Sequence, residues 1–360
     1  MSQERGVLLL GYGLAGRVFH APLIKAASGL QLRAVVTNAP ERIAQTRIDN
    51  PGVRIHADTA SALASSDDID LVVVANANRA HVADAHSAIA AGKHVVVDKP
   101  LAGTAAQGQL LAEAAVRAGV QLHTFQNRRW DSDFLTVQSV VGSGQLGTVH
   151  RLESRFERLR VEPKGNWRES ADPDELGGVL LDFGAHLVDQ ALALLGPVVA
   201  VDAYARALRQ AEGADDDMQL VLSHQSGAIS LLFGSQVSAF SGPRMTLLGT
   251  AGGVRIQEPD TQEDRLRAGD SPLSQGWGAE SFNGTLVIGG PDGASQSTAV
   301  PMEAGNWPHF YEQVSACIRS GAAAPVPVAH VIANLRVLDA ARQSVLSSAR
   351  VMLDPPAGHD

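Results

Sequence analysis

Cysteine is almost absent from this sequence, which contains only Cys317. One thiol cannot form an intramolecular disulfide, and it cannot supply a metal centre that needs several cysteines. Long apolar runs are also missing, because no stretch reaches the ~18 residues that a transmembrane helix needs. Residues 1–5 lack the apolar core of a signal peptide. These absences predict a soluble, cytoplasmic protein with no membrane partner.

Positive charge is also in deficit. The chain has 29 Lys and Arg residues against 38 Asp and Glu residues, which gives a formal net charge of -9 at pH 7. No long basic run offsets this balance, so a nucleic-acid partner is not expected. The hydrophobic share of 45% is ordinary for a globular protein. A chain of 360 residues is long for one core, so we expect two domains.

Three glycines follow the first apolar strand at the spacing G-x-G-x-x-G, at Gly11, Gly13 and Gly16. In a dinucleotide-binding turn the first glycine allows the tight turn, the second admits the pyrophosphate, and the third lets the helix pack closely on the strand. We therefore predict a cofactor-binding turn to which Leu14 and Ala15 also contribute. A glycine-rich turn between any strand and helix is the alternative.

The second predicted strand, residues 30–37, ends without an acidic side chain. An NAD-selective fold usually places Asp or Glu there to bind the ribose 2′-hydroxyl. Here Thr37 and Asn38 are followed by Arg42. A neutral strand end near an arginine suits a 2′-phosphate, so we predict that NADP(H) is preferred and that NAD(H) is possible. A solvated helix position is the alternative for Arg42.

Strands and helices alternate up to residue 123, and this alternation predicts a right-handed parallel sheet. The fold class is α/β, with an N-terminal Rossmann doubly wound sheet over residues 1–123. Ligands bind at the carboxyl ends of such strands. Candidate cofactor residues at these ends are Asn76, Asn78 and His81 after the third predicted strand, and Asp98 and Lys99 after the fourth. A helix N-cap role is the alternative for Asn78.

The pattern changes beyond residue 123. Helices are predicted over 131–141, 173–195, 307–320 and 328–349, with longer strands at 148–160, 199–208, 217–224, 228–237 and 244–257. Short turns between strands predict a large, mostly antiparallel open sheet in an α+β domain over 124–350. Its open face predicts a homodimer or homotetramer. Residues 258–300 read as a surface excursion with little structure, and residues 351–360 as a frayed tail.

Three motifs resemble the Gfo/Idh/MocA oxidoreductase family, and the resemblance covers nearly the whole chain. They are GYGLAG with FHAP from Gly11, AAGKHVVVDKP from Ala90, and GGVLLDFGAH from Gly177. A fourth stretch, QNRRWDSDFLT from Gln126, is similar to the branch that contains NADP-dependent scyllo-inositol dehydrogenases. The chain departs from the family in two places, since Asp98 stands where Glu is common and Asn76-Ala77 where Thr-Pro is frequent.

The resemblance implies catalytic roles for Lys99, Asp182 and His186. An ammonium at Lys99 would stabilise negative charge on a carbonyl oxygen, and burial beside an oxidised nicotinamide would lower the pKa of that lysine. Imidazole suits proton transfer near neutral pH, so His186 is the favoured proton carrier and Asp182 its partner. Which of Lys99 and His186 moves the proton stays open. The i, i+4 spacing of Asp182 and His186 on one predicted helix would also suit a metal, but no further ligands lie nearby and none is expected.

A small polyol or sugar substrate needs several hydrogen-bonding groups, and candidates come from the second domain. They are Asn127, Arg128, Trp167 and Arg168, together with Asp182 and His186. A structural role is the alternative for Trp167 and Arg168. The resemblance thus implies an NADP(H)-preferring dehydrogenase or reductase acting on the CH–OH group of a cyclic polyol or sugar. The alternatives are another substrate, such as a diol or a tetrapyrrole, and a non-catalytic NADP-sensing regulator.

Overall fold

The computed structural model describes residues 4–290 and 292–354. The chain forms two compact units. Unit 1 comprises residues 1–127, 262–277 and 306–332, and unit 2 comprises residues 128–261, 278–305 and 333–360. This division differs from two contiguous domains that meet at residue 123. The segment 306–332 belongs to unit 1 because Trp307 and Phe310 pack against the aromatic rings of Phe19 and Phe125. The segment 262–277 belongs there too, and the guanidinium of its Arg267 lies 5.6 Å from the Phe19 ring.

Unit 1 is built on a six-stranded parallel sheet, which confirms the predicted Rossmann fold. Its strands are β1 Arg5–Leu10, β2 Leu30–Val36, β3 Arg54–His56, β4 Leu71–Val74, β5 His94–Asp98 and β6 Leu122–Phe125. The spatial order is β3-β2-β1-β4-β5-β6, so the strand order reverses between β1 and β4. Ligands bind at such a switch point, and the glycine turn follows β1 there.

Helices connect these strands. They are α1 Ala21–Ala26, α2 Pro40–Asp49, α3 Thr59–Ala64, α4 His81–Ala90 and α5 Ala105–Ala118, and a π-helix over Ala15–His20 precedes α1. The strand interior is apolar on both faces, since Val7, Val72 and Val96 have no exposed surface. That burial is why these strands appear in the sequence as continuous apolar runs.

Unit 2 is built on a nine-stranded sheet. Its strands are β7 Val149–Glu157, β8 Val198–Arg206, β9 Asp217–His224, β10 Ile229–Ser235, β11 Met245–Gly249, β12 Gly252–Ile256, β13 Asn283–Gly289, β14 Ser295–Pro301 and β15 Val351–Met352. The order is β14-β13-β12-β11-β7-β10-β9-β8-β15. Within the described chain β7 and β10 run parallel, and the other neighbours are antiparallel. The mostly antiparallel sheet is therefore confirmed.

The remaining helices are α6 Ser132–Gly142, α7 Val179–Asp182, α8 Gly184–Leu195, α9 Gln262–Ala268, α10 Pro308–Ser320 and α11 Val328–Ser347. Helices α6, α7 and α8 pack against strands of the nine-stranded sheet. Among the residues that the structure describes, no single helix is long and apolar enough to cross a membrane, although the bent pair 173–182 and 184–195 reaches that length when its two parts are added.

Three predictions need correction. Residues 258–300 contain α9, β13 and most of β14, because backbone pairing in an edge hairpin needs no apolar pattern. Residues 173–195 do not form one helix, since α7 and α8 meet at Phe183 with a bend of 52°. In the predicted tail, Val351 and Met352 pair with β8, while residues 355–360 lie outside the described residues.

Candidate active-site residues

The glycine turn has two kinds of glycine. Gly11 has φ of +99°, and a Cβ there would lie 2.9 Å from the carbonyl oxygen of Ala75. A Cβ at Gly16 would overlap the carbonyl of Gly11. These two positions exclude side chains because the strand, the turn and the helix approach each other closely. At Gly13 the space is open, and the nearest atom to a Cβ position is Nη1 of Arg42, at 4.0 Å. An open backbone beside a guanidinium fits the phosphates of a dinucleotide.

The predicted ribose-binding residues at the end of β2 differ in their exposure to solvent. Thr37 is buried, and its backbone N–H donates to the carbonyl of His56 at 3.0 Å. Asn38 and Arg42 are exposed. Asn38 and Arg42 are therefore the side chains that remain available to a 2′-phosphate, and the end of this strand carries no acidic side chain.

The end of β4 carries the next predicted set. The Asn76 amide donates to the carboxylate of Asp84. Asn78 is buried, but the cap position of its short 3₁₀ turn is occupied by Ala77, so Asn78 is not the N-cap. His81 is 1% exposed, and its Nδ1 lies 2.8 Å from the carbonyl oxygen of Pro100. A carbonyl only accepts, so Nδ1 carries the proton. Burial lowers the pKa of His81.

Lys99 follows β5 and is half-buried. Its backbone N–H donates to Oδ1 of Asp98 at 2.8 Å, and its bond to Pro100 is cis. Because His81 holds the carbonyl of Pro100, the backbone is anchored on both sides of Lys99. This anchoring places the lysine at the carboxyl edge of the parallel sheet, where the sequence predicted it.

In unit 2, Asp182 ends α7 and His186 lies in the first turn of α8. The start of α7 is held by Asp215. Its Oδ2 accepts from the Leu180 N–H at 2.7 Å, and its carbonyl accepts from the Val179 N–H at 2.9 Å. Burial raises the pKa of Asp215 to about 6. Asp215 has no motif around it and is 35 positions from Leu180, so this role could not be predicted from the sequence.

The ring of Phe156 joins predicted and unpredicted residues. The guanidinium of Arg128 lies 4.7 Å from its centroid, that of Arg244 lies 4.0 Å away, and the His186 ring is at 6.4 Å. Arg244 is 3% exposed, and its partners are Asp133 at 3.2 Å, Ser154 at 2.6 Å and Gln190 at 2.8 Å. Unit 2 therefore brings Arg128 and His186 around one aromatic ring.

Trp167 and Arg168 lie in a short 3₁₀ turn, with the Arg168 guanidinium 4.3 Å from the Trp167 ring. The carbonyl of Arg168 accepts from the Gly178 N–H at 2.8 Å, so this turn is fixed to the residue that precedes α7. Asn127 is buried at the end of unit 1. Within residues 4–290 and 292–354, no three His, Cys, Asp or Glu side chains are arranged to hold a metal ion.

Comparison with known proteins identifies the family of this chain. Residues 5–126 match the model of an oxidoreductase family with an NAD-binding Rossmann fold, and residues 134–255 match that of the GFO/IDH/MocA C-terminal domain. Scyllo-inositol 2-dehydrogenase (NADP(+)) IolW from Bacillus subtilis is 33% identical over 96% of this chain and 95% of its own. The 1,5-anhydro-D-fructose reductase of Ensifer adhaerens is 27% identical over 71% of this chain and 76% of its own.

The fold has a solved counterpart over its whole length. The structure of the oxidoreductase yvaA from Bacillus subtilis is 31% identical, covers 98% of this chain and 100% of its own, and superimposes with a TM-score of 0.91. Two family models together span most of the sequence, and the motifs that begin at Gly11, Ala90 and Gly177 lie where those models match. The chain therefore belongs to the Gfo/Idh/MocA family of NAD(P)-dependent oxidoreductases.

Proposed function

We propose that the protein interconverts a secondary alcohol and a ketone on a cyclic polyol, of the inositol and inosose type, and prefers NADP(H) to NAD(H). The observation that carries this proposal is the similarity to an NADP-dependent scyllo-inositol dehydrogenase over nearly the full length of both chains. The 27% identity with an anhydrofructose reductase makes a sugar ketone the second candidate substrate.

The cofactor would be held by the carboxyl edge of the unit 1 sheet. The glycine turn takes the diphosphate, and the exposed side chains of Asn38 and Arg42 take the ribose and its 2′-phosphate, with the buried Thr37 ending the strand before them. Residues around the ends of β4 and β5 complete the site, namely Asn76, Asn78, His81, Asp98 and Lys99. The bound nicotinamide supplies the hydride in ketone reduction and accepts it in alcohol oxidation.

The side chains of this protein then handle the oxygen of the substrate. As the carbonyl carbon gains a hydride, negative charge develops on the oxygen, and the Lys99 ammonium stabilises it. His186 gives that oxygen its proton, and Asp182 orients the imidazole. In the oxidative direction the same groups remove the proton. The hydroxyls of the substrate are bound by Asn127, Arg128, Trp167 and Arg168.

The test is a screen of initial rates with NADP⁺ and NAD⁺ across inositols and aldoses, and with NADPH and NADH across the corresponding ketones. Lys99→Met is the inactive reference. Lys93→Met is its matched control, because the Lys93 ammonium only holds the carbonyls of Ser66 and Ile69. NADP-linked activity on one cyclic polyol, abolished only in Lys99→Met, is expected. Tight NADPH binding without turnover on any compound would contradict the proposal and favour a cofactor-sensing regulator.

We also propose that two or four copies associate through the open face of the unit 2 sheet. Strands β9 and β10 alternate buried residues, such as Leu220 and Leu232, with outward-facing ones, such as Val221 and Leu231. An apolar sheet face left open is usually covered by a second subunit. Light scattering on the purified protein measures the mass directly, and a monomer at micromolar concentration would contradict this assignment.

A further inference from the structure

A buried histidine lies behind Lys99 in unit 1. His20 ends the π-helix over Ala15–His20, in which the N–H of Ala21 bonds to the carbonyl of Gly16, five residues earlier. Pro22 comes next, and it has no N–H with which to continue a regular α-helical ladder. The π-helical turn precedes this missing donor, and such turns are frequent at functional sites. His20 has no exposed surface.

The His20 ring lies between a hydroxyl and a carboxylate. Its Nδ1 is 2.6 Å from the hydroxyl of Tyr311, on α10, and its Nε2 is 3.8 Å from Oδ2 of Asp98. The second distance is longer than a hydrogen bond, but it places Nε2 next to the carboxylate, where an N–H dipole directed at the negative charge is favourable. The rest of the surroundings is aromatic, with the Phe125 ring centroid 4.4 Å away. An imidazole among aromatic rings is costly to bury unless its polar atoms are used.

The direction of the proton follows from the neighbours. Burial and the charge of Asp98 raise the pKa of Tyr311 well above its ordinary value, so its hydroxyl stays protonated and donates to Nδ1. Nε2 of His20 therefore carries the hydrogen that faces Asp98. The opposite tautomer would direct a lone pair at a carboxylate, which is unfavourable.

Asp98 is ionised in this setting. Burial opposes its charge, but His20 above all, and then Lys99 and His81, outweigh burial and hold its pKa at about 2. The groups that face this carboxylate are thus His20 from the π-helix, His81 from α4, Lys99 from its own segment and Tyr311 from α10. Oδ2 faces His20, and Oδ1 accepts the backbone N–H of Lys99 at 2.8 Å. Polar groups therefore follow one another from Tyr311 through His20 and Asp98 to Lys99, and the one step longer than a hydrogen bond is the 3.8 Å between Nε2 of His20 and Oδ2 of Asp98.

We propose that Tyr311 and His20 are positioning residues for Lys99, which they fix by orienting the carboxylate of Asp98. The proposal rests on the proposed function, because Lys99 has its catalytic role there. Tyr311 and His20 need not touch substrate or cofactor. Their effect should appear in the rate of the chemical step and not in the affinity for NADPH.

The kinetic test uses two hydroxyl deletions of the same kind. Tyr311→Phe keeps the ring and removes the group that bonds to Nδ1 of His20. Ser230→Ala is its matched control, because Ser230 is buried and its hydroxyl lies 2.8 Å from Nε2 of the buried His224, in unit 2. Both variants should lose similar thermal stability. Only Tyr311→Phe should lose kcat, on the order of tenfold, with the Kd for NADPH within about twofold of wild type.

Substitutions of His20 add a pH readout that loss of packing would not produce. His20→Leu removes the group that stabilises the Asp98 carboxylate while burial remains, so the pKa of Asp98 rises. Turnover should then fall on the acid side at a higher pH than in wild type. His20→Gln keeps a donor for Asp98 and an acceptor for Tyr311, so it should restore much of the rate and the original pH profile.

A second measurement does not depend on any substrate. The chain has only four lysines, Lys25, Lys93, Lys99 and Lys164, so ¹³C-methylation gives few and separable lysine signals. In His20→Leu, the Lys99 signal should show an added inflection between about pH 4.5 and 7, as Asp98 takes up a proton. Wild type, Ser230→Ala and the other three lysines should not show it.

The outcomes separate the two proposals. If wild type turns over no polyol, or if Lys99→Met remains active, the proposed function fails. The lysine titration then still tests whether Tyr311 and His20 position Lys99 through Asp98. If the Lys99 signal shows no added inflection in His20→Leu, the positioning role of Tyr311 and His20 is overturned. It is equally overturned if Tyr311→Phe matches Ser230→Ala in kcat while Lys99→Met is inactive.

Discussion

The start of α7 offers a prediction whose magnitude follows from the backbone. Gly178 precedes this helix with φ of 90° and ψ of 156°, and Gly196 follows α8 with φ of 79° and ψ of -161°. Both conformations belong to a region that only glycine adopts at low cost. Alanine at either position should cost about 1–3 kcal/mol of the free energy of unfolding for backbone strain alone.

The surroundings of the two glycines differ. At Gly196 nothing lies within 4 Å of a Cβ position, whereas at Gly178 a Cβ would overlap the carboxylate of Asp215. That carboxylate must then leave the Leu180 N–H, which it accepts at 2.7 Å. A buried N–H without its partner costs about a further 1–3 kcal/mol. Gly178→Ala should therefore destabilise the protein by about 1–3 kcal/mol more than Gly196→Ala.

Urea unfolding at neutral pH, followed by circular dichroism, measures both variants. In the Asp215→Ala background the clash is gone, so Gly178→Ala should cost there only what Gly196→Ala costs in wild type. Because Asp182 ends the same short helix, kcat should fall in Gly178→Ala and be retained in Gly196→Ala. Equal destabilisation by the two glycine substitutions, or an unchanged cost of Gly178→Ala without Asp215, would refute this reasoning.

Three further predictions concern other parts of the chain. Arg42→Gln should raise KM for NADPH about tenfold and leave KM for NADH nearly unchanged. Arg47→Gln, at an exposed position on the same helix, should change neither KM. Equal effects of Arg42→Gln on both cofactors would count against a contact with the 2′-phosphate. Burial lowers the pKa of His123 from 6.5 to about 4, so the unfolded chain binds more protons in this range and the free energy of unfolding should fall by about 3 kcal/mol from pH 6.5 to 4. Urea titrations of His123→Leu should lack that loss. Arg244→Met should cost about 3–5 kcal/mol in the same assay because it leaves Asp133 buried without its cation, and a cost below about 1 kcal/mol would contradict the described network.

The parts of the fold that sequence reasoning found are those with a local signal. Strand β1 and the strand before Lys99 are apolar runs that end in turn residues, and the glycine turn follows the first of them. The alternation of such strands with helices predicts the parallel sheet. Strand β3 has three residues and none is buried, so it leaves no apolar pattern. Strands β13 and β14 pair mainly through backbone groups, and β14 is almost fully exposed. Such strands are invisible to a method that depends on periodicity.

The site divides in the same way. Lys99, Asp182 and His186 lie within motifs, so their family roles could be assigned from the sequence. Tyr311 and His20 are 291 positions apart, and Asp215 and Leu180 are 35 apart, so no spacing rule connects them. The bend at Phe183 was missed because its backbone stays in the α region and the apolar residues on either side continue the helical pattern, although Gly184 directly after it is a poor helix former. Only tertiary packing reveals these groups.

The most direct test of the account concerns Lys99 in a single turnover. Wild type and Lys99→Met, each saturated with NADPH, are mixed with the ketone identified in the substrate screen, and the disappearance of NADPH is followed by stopped flow. We expect Lys99→Met to have a Kd for NADPH within about twofold of wild type and a hydride-transfer rate at least about 100-fold lower. Weakened NADPH binding with an unchanged transfer rate would contradict it, because Lys99 would then be a cofactor contact and not a catalytic group.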